Sequence, residues 1–298
     1  MILLLVVHRT VYKYAVPVSF GPHRMMLRPR DSHDMRVLSA TLTTQPGSEL
    51  LFTYDVFGNV VCDASFAQSA DELSIESRLE IERYPMGEDR VFATGADILL
   101  PAPYTADERT DLGALAIGDD AALGPELIAW IDGLAADGDG RAVPLLARLC
   151  REIRESFRYE LRFEEDTRAP AQTFALRSGA CRDYAALFIA CARHLGLGAR
   201  FVTGYLFDPP AEGAATQGAG FTHAWAEVYL PSVGWVEFDP TNGLVASERL
   251  IRVAAVRDPK QASPISGTYI GPPGAQRGLF VEVTVTPLEP GRPALLAA

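Results

Sequence analysis

The stretch at residues 178–195 constrains the fold more than any other part of this chain, because it places a cysteine in the first turn of an apolar helix. Gly179 and Ala180 form a small turn before Cys181. Apolar side chains then recur at helical spacing on one face: Ala185, Phe188, Ile189, Ala192 and Leu195. Such a helix has to pack on another layer, and the free N–H groups at its start favour a thiolate at Cys181.

Two later segments supply partners for a reactive thiol. Residues 222–230 and 235–239 flank a Pro-Ser-Val-Gly turn and are predicted to pair as a hairpin. The hairpin brings Asp239 back to within about three residues of His223 along the ladder. We therefore predict one Cys-His-Asp site formed by Cys181, His223 and Asp239, with no cofactor and no metal.

These residue types support one chemical scheme. Cys181 attacks a carbonyl as the thiolate, and His223 moves the proton to the leaving amine. Asp239 holds the imidazole in one tautomer and stabilises the imidazolium. The backbone N–H of Cys181 at the helix start is a candidate oxyanion donor, and the sequence names no second donor.

Each of these residues could also have a purely structural role in place of the catalytic one. Most lone cysteines are small buried apolar residues. His223 shares its strand face with Trp225, Glu227 and Tyr229, and such a polar and aromatic face is also typical of a strand exposed to solvent. Asp239 precedes a proline, where the carboxylate commonly accepts backbone N–H groups in a turn. The turn role and the catalytic role of Asp239 are compatible.

Two further segments have more than one interpretation. Cys191 and His194 are spaced as a pair of metal ligands on one helix, but no second pair lies nearby, which favours a buried cysteine and a histidine near the helix end. The segment at 207–220 either lines the cleft before His223 or is a flexible connector, and its Gly and Ala content favours the connector.

The composition excludes several classes of protein. With 48% hydrophobic and 22% charged residues among 298, the chain is predicted to be globular. Its net charge of −11 makes nucleic acid and anionic membranes poor partners. Four scattered cysteines are too few for a disulfide framework, and no apolar run reaches the length of about 18 residues that spans a membrane. These observations predict a soluble, cytoplasmic protein with reduced thiols.

We predict an α+β fold that begins with β structure. Residues 1–85 show short alternating strands separated by turn residues, with Pro17 ending the first strand, and predict an N-terminal antiparallel β-sandwich. Residues 86–140 are richer in Pro, Gly and Asp and predict a linker with a short helix at 125–135.

The predicted catalytic core occupies residues 141–298. It contains a helix at 143–157, the helix that starts near Cys181 and an antiparallel sheet that includes the hairpin. We assign the last strand, at 279–286, to this core.

Together these motifs resemble the bacterial transglutaminase-like cysteine protease family. The segments at 8–14 and 27–30 resemble the β-domain that precedes the catalytic core in that family. The core motifs of this chain, in order, are GACRDYA at 179–185, GYL at 204–206, HAWAEVY at 223–229 and GWVEFDPTN at 234–242.

The resemblance implies a papain-like, transglutaminase-like core with a triad of Cys181, His223 and Asp239 that forms an acyl-thioester. It also implies a peptide or protein substrate, with an ATP-grasp-type peptide ligase system as a candidate partner. The resemblance does not determine which molecule accepts the acyl group. If the acceptor is water, the protein is a protease or amidase, and we favour this hypothesis. If the acceptor is an amine, the protein is a transglutaminase. The third hypothesis is a non-catalytic peptide-binding module that retains the triad.

Overall fold

The computed structural model describes residues 1–84, 86–162, 166–208, 217 and 220–288. The chain begins with strands β1 (Ile2–Met25), β2 (Met35–Gln45), β3 (Ser48–Tyr54), β4 (Val60–Phe66) and β5 (Ala70–Arg83). Helices follow: α1 (Glu88–Thr94), α2 (Ala106–Leu112), α3 (Asp120–Leu123), α4 (Pro125–Ala136) and α5 (Ala142–Ser156). No helix in these described ranges is long and apolar enough to cross a membrane.

In the remaining described elements, short strands and helices alternate up to α7, and strands predominate after it. They are β6 (Arg158–Tyr159), α6 (Pro170–Leu176), β7 (Ser178–Gly179) and α7 (Cys181–His194), then β8 (Ala199–Leu206), β9 (His223–Leu230), β10 (Gly234–Asp239), β11 (Leu244–Val245), β12 (Leu250–Val256), β13 (Ile265–Ile270) and β14 (Gln276–Pro287). The predicted α+β class is confirmed.

Strand β1 is the centre of the N-terminal sheet, and its length decides the shape of that sheet. Its first half pairs with β5 and β14, and its second half pairs with β4 and β13. The strand order is β2-β5-β1-β4-β3, with β13 and β14 also on β1. The two halves of β1 thus join two groups of antiparallel strands that curl around a shared apolar cluster, in agreement with the antiparallel N-terminal β-domain that we predicted.

The prediction that Pro17 ends the first strand is wrong. β1 continues to Met25, and its ladder with β5 is interrupted between Lys13 and Val18, where Pro17 lies. Because proline has no N–H to donate, it is tolerated where the ladder is already interrupted.

The C-terminal strands complete the N-terminal sheet. β14 pairs with β1 from Leu4 to Tyr14, so the strand predicted at 279–286 does not belong to the catalytic core to which we assigned it. Val283 packs in one apolar cluster with Leu4 and Val6 of β1. The open edge of β1 and this inward-facing side chain explain why β14 returns to the start of the chain.

The segment predicted as a linker is largely helical and is attached to the core. The short helix predicted at 125–135 corresponds to α4. The Tyr104 hydroxyl donates to the carbonyl of Tyr229 at 2.6 Å and accepts from the N–H of Gly198 at 3.1 Å. These hydrogen bonds join the helical segment to β9 and to the turn after α7.

Helix α7 packs on an antiparallel sheet with the strand order β11-β10-β9-β8-β12. The ring of Phe188 on α7 stacks on the ring of Phe238 on β10 at 5.3 Å. The apolar face predicted for α7 is buried at Ala185, Ile189 and Ala192. This contact sets the first turn of α7 against the start of β9 and the end of β10.

The other face of this five-stranded sheet is covered by the N-terminal sheet through a buried charge cluster. Arg83 at the end of β5 donates to Asp34 at 2.6 Å and to Glu237 at 3.2 Å. Arg252 on β12 donates to Glu227 at 2.6 Å and to Asp34 at 3.4 Å. The cluster covers the face of β9 that carries the predicted catalytic imidazole.

Candidate active site

The turn before Cys181 is held by one buried carboxylate. Asp183 accepts hydrogen bonds from the backbone N–H of Ala180 at 2.9 Å and of Arg168 at 2.8 Å, and it pairs with the guanidinium of Arg162 at 2.7 Å. We did not predict this role from the sequence. The signal that could have found it is an acidic residue in the first helical turn, where a carboxylate reaches back to free N–H groups.

Gly179 is required because the chain passes close to α7 at this point. A Cβ at residue 179 would lie 2.9 Å from the Cβ of Asp183 and 3.3 Å from Cε1 of Tyr184. The small turn predicted before Cys181 is therefore a consequence of close packing, and it determines where the thiol lies.

Replacing Asp183 with asparagine is expected to lower the free energy of unfolding by about 2 kcal/mol, because charged hydrogen bonds become neutral ones. Denaturation with urea measures the change. Asp166→Asn, at an exposed carboxylate nearby, is the control and is expected to leave stability unchanged. Equal stabilities of the two variants would contradict the role assigned to Asp183.

The hairpin of β9 and β10 brings the predicted imidazole and carboxylate together. Phe238 pairs with Ala226, which places Asp239 diagonally across from His223. Nε2 of His223 lies 2.8 Å from Oδ2 of Asp239, and both side chains are fully buried. The juxtaposition predicted from the hairpin is observed.

Asp239 also forms the turn that its position before a proline suggests. Its Oδ1 accepts from the N–H of Thr241 at 2.9 Å and of Asn242 at 3.4 Å, and its Oδ2 accepts from the Asn242 side chain at 2.8 Å. Burial alone would raise the pKa of Asp239, but the charge of His223 and these hydrogen bonds hold the pKa below its usual range. The carboxylate is therefore ionised at neutral pH.

Asn242 is a site residue to which we gave no role of its own. Besides its contact with Asp239, its Nδ2 donates to the backbone carbonyl of Gln217 at 3.2 Å, and its Oδ1 accepts from the Gln217 N–H at 3.1 Å. Asn242 thus joins Asp239 to the chain that precedes His223. Most of the segment at 207–220, for which we predicted a connector, lies outside the described residues.

His223 is enclosed, with 1% of its surface exposed, and Trp225 beside it is fully buried. The alternative of a solvent-facing strand is wrong, because the N-terminal sheet and the charge cluster cover this face. Burial alone would lower the pKa of His223, but the charge and hydrogen bond of Asp239, with the neighbouring Cys181 side chain, raise it to about 10.

The second ring nitrogen of His223 is the one available to the thiol. Nε2 is engaged by Asp239, whereas Nδ1 is buried without a hydrogen-bond partner among the described residues. The Cys181 side chain is close enough to raise the pKa of the ring.

The other cysteines are small buried residues, which is the structural alternative to a catalytic role. Cys62, Cys150 and Cys191 are buried and free, while Cys181 is half-buried. Burial, with the charge of Asp63, raises the pKa of Cys62 to about 11, and burial also raises the pKa of Cys191. Cys181 is therefore the cysteine that a dissolved reagent reaches first.

His194 lies between two carboxylates at the end of α7, which agrees with the structural role near the helix end that we favoured for it. Its Nδ1 is 2.8 Å from Asp120 and its Nε2 is 3.2 Å from Asp132. Burial alone would lower the pKa of His194, but hydrogen bonds and charges of the two aspartates raise it. The protonated ring ties α7 to α3 and α4.

This contact predicts a pH-dependent contribution to stability. Because the folded-state pKa of His194 is raised, the stabilisation is complete below the ordinary value of about 6.5 and is lost as the pH rises through the raised pKa. The wild type should therefore exceed His194→Gln in melting temperature by more at about pH 5.5 than at about pH 9. His33→Gln, at an exposed histidine, is the control. A difference that is constant across this range would contradict the prediction.

Comparison with known proteins identifies the family. Residues 135–240 match the family model of the Transglutaminase-like superfamily, and residues 4–82 match that of the Bacterial transglutaminase-like N-terminal region. The uncharacterized protein Rv2569c of Mycobacterium tuberculosis is 30% identical over 95% of this chain and 92% of its own length. The uncharacterized protein ML0607 of Mycobacterium leprae is 25% identical over 94% of this chain and 97% of its own. The chain belongs to the bacterial transglutaminase-like family.

A solved structure shares the arrangement of both parts of the chain. A candidate cysteine protease from Cytophaga hutchinsonii superposes with a TM-score of 0.71 and covers 97% of this chain and 92% of its own, at 17% sequence identity. At this identity the similarity concerns the fold, which is an N-terminal antiparallel sheet followed by a transglutaminase-like core.

Proposed function

We propose that this protein is a thiol-dependent enzyme that cleaves amide bonds through an acyl-thioester on Cys181. The observation that carries the proposal is the buried pair of His223 and Asp239 at 2.8 Å, next to a thiol that is partly accessible. An imidazole with one nitrogen on a carboxylate and the other free for a thiol is the arrangement that activates a cysteine nucleophile. Membership of the transglutaminase-like superfamily supports this assignment.

Acylation begins from an ion pair. The ionised Asp239 stabilises His223 as the imidazolium, and an imidazolium beside a cysteine is the arrangement that favours attack by the sulfur as thiolate. The sulfur attacks the substrate carbonyl carbon, a C–S bond forms, and the carbonyl electron pair moves onto oxygen. When this adduct collapses, the carbonyl re-forms, the C–N bond breaks, and the amine leaves with the proton from His223.

Release of the acyl group uses the same residues, with the direction of proton transfer at His223 reversed. Neutral His223 accepts a proton from water as the water oxygen adds to the thioester carbonyl. The adduct then expels the Cys181 thiolate and a carboxylic acid is formed. If a primary amine adds in place of water, the product is a new amide. Asp239 stays ionised and orients the ring in both halves of the reaction.

We propose peptides or proteins as the substrate and water as the acyl acceptor. Hydrolysis and transfer share the acyl-enzyme, and the name of the Cytophaga relative accords with hydrolysis. A cytoplasmic location and association with an ATP-grasp-type ligase system are further proposals. The free cysteines motivate the first, and the family resemblance motivates the second.

Alkylation with iodoacetamide separates an enzyme from a peptide-binding module. Cys181 is expected to react faster than the thiol of glutathione at neutral pH, as peptide mass mapping would show, because the imidazolium stabilises the thiolate. His223→Gln should remove the advantage. Reaction of Cys181 no faster than glutathione would refute the catalytic proposal.

Supplying an amine with the substrate separates hydrolysis from transfer. The protein is incubated with N-blocked glutamine-containing peptides and the fluorescent amine dansylcadaverine, and the products are identified by mass spectrometry. We expect the free acid and shorter peptides. Incorporation of the amine would assign transglutaminase activity in place of hydrolysis, and products formed equally by Cys181→Ala would refute both.

A further inference from the structure

A cleft with a volume of about 200 Å³ lies where the N-terminal strands meet the five-stranded sheet. Its walls come from four segments: the chain after β1, the turn between β3 and β4, the start of β8, and β12. Three arginines line this junction cleft, namely Arg30, Arg200 and Arg252. The chain as a whole carries a net charge of −11, so a cleft lined by three cations reverses the general sign of the surface.

The turn between β3 and β4 holds Arg30 at the wall of the junction cleft. Nη1 of Arg30 donates to the carbonyl of Gly58 at 2.8 Å. Gly58 has a φ of +76°, and a Cβ at this residue would collide with the same Nη1, so glycine is required for Arg30 to lie here. The turn is itself attached to β12, because the Asn59 side chain accepts from the N–H of Ala255 and donates to its carbonyl, each at 2.9 Å. Arg30 is therefore held in a fixed place relative to β12.

One buried carboxylate holds the other two arginines. Glu227 is fully buried, and its Oε2 accepts from Nε of Arg200 at 2.6 Å while its Oε1 accepts from Nη1 of Arg252 at 2.6 Å. Asp34 lies 3.4 Å from Arg252 but only 2.6 Å from Arg83, which takes most of its charge. Arg200 and Arg252 thus line the cleft with the charge of Glu227 divided between them.

The arginines keep N–H groups for a further acceptor. Within the described residues, the Gly58 carbonyl is the one acceptor of Arg30, and Nη1 of Arg200 has none. Asp31 is the carboxylate among the residues that line the cleft, and its Oδ1 accepts the backbone N–H of Val37 at 2.7 Å. Guanidinium groups present paired donors that match the two oxygens of a carboxylate or a phosphoryl group. The chemistry of the cleft therefore suits an oxyanion.

We propose that the junction cleft binds a carboxylate or phosphoryl group of a ligand between Arg30 and Arg200. The site is separate from the candidate active site, since His223 lies opposite Gly204, four positions along β8 from Arg200 and about 13 Å away at the rise of a strand. The bound anion joins the chain after β1 to the five-stranded sheet. Because the cleft exists only in the folded protein, binding raises the melting temperature.

Isothermal titration calorimetry at low ionic strength tests the site with two probes, inorganic pyrophosphate and N-acetylated triglutamate. We expect at least one of them to bind the wild type saturably, at one site per chain, and to raise its melting temperature. Arg30→Gln removes charged hydrogen bonds to the anion and is expected to weaken binding by about 10-fold or more. Arg28→Gln is the matched control, because Arg28 is exposed, carries the same charge and does not line the cleft. It should bind as the wild type does.

The outcomes separate the alternatives. The probe that binds more tightly decides whether the ligand group is phosphoryl or carboxylate. If Arg30→Gln binds as tightly as the wild type, the anion is held elsewhere and the inference fails. If Arg30→Gln and Arg28→Gln lose affinity equally, the attraction is one of general charge and the cleft is not a site. If neither probe binds saturably or changes the melting temperature of the wild type, the cleft binds no anion.

Discussion

Replacing Cys181 with alanine is expected to abolish acyl-enzyme formation, a loss of on the order of 10⁶-fold for the nucleophile of a catalytic triad. Alanine removes the sulfur that attacks the carbonyl, and it leaves the backbone turn held by Asp183 in place. Intact-mass spectrometry after incubation with p-nitrophenyl acetate measures the effect. The wild type should gain an acetyl group and the variant none.

The matched control for this experiment is Cys62→Ala. Cys62 is a buried thiol of the N-terminal sheet, and burial raises its pKa to about 11, so it is protonated at neutral pH. Its removal should leave acetylation at the level of the wild type. Acetylation of Cys181→Ala at the rate of the wild type would place the reactive group elsewhere and remove the basis of the proposed mechanism.

Replacing Asp239 with asparagine is expected to lower turnover by about 10⁴-fold, the loss found when a triad carboxylate becomes an amide. Burial favours neutral His223, and the Asp239 charge is the main influence that raises the His223 pKa to about 10. Without that charge the imidazolium is lost at lower pH, and the thiolate loses its counter-ion. Alkylation by iodoacetamide should therefore slow at neutral pH and recover as the pH approaches the range of a free thiol, about 8.5.

Glu237→Gln is the matched control for the pH dependence. Glu237 is a buried acid on the same strand as Asp239, and it pairs with Arg83 at 3.2 Å. Burial, opposed in part by Arg83, raises the pKa of Glu237 to about 7, so a neutral side chain is already tolerated there. This variant should keep the pH dependence of the wild type. The same shift in both variants would mean that any lost buried charge disturbs the site, and Asp239 would have no special role.

The helix and the hairpin of the transglutaminase-like core were predictable from sequence because their signals are local. The apolar spacing of α7 and the glycines after it mark a helix at 181–194, and the turn before Gly234 sets the hairpin that places Asp239 near His223. A period or a turn within a few residues was enough for each of these predictions.

The errors concern partners that are distant in sequence. The face of β9 and β10 that carries His223 and Asp239 also carries Glu237, which is reached by Arg83 of the N-terminal sheet. The partners of Asp183 come from residues 162 and 168, which no helical or strand period connects to it. The pairing of β14 with β1 joins segments separated by almost the whole chain. A pattern within one segment carries no information about such partners.

During synthesis, the first half of β1 is complete long before β14, one of the two strands that flank this half, exists. β5 follows early and can pair with β1, but β14 emerges only after α7, β9 and β10 have been made. The edge of β1 from Leu4 to Tyr14 is therefore open in the nascent chain, and an open apolar edge readily pairs with other chains. Every element of the candidate site is synthesised within that interval. A ribosome-bound chain that ends before residue 276 would thus carry the thiol, the imidazole and the carboxylate on a molecule that still needs protection from aggregation.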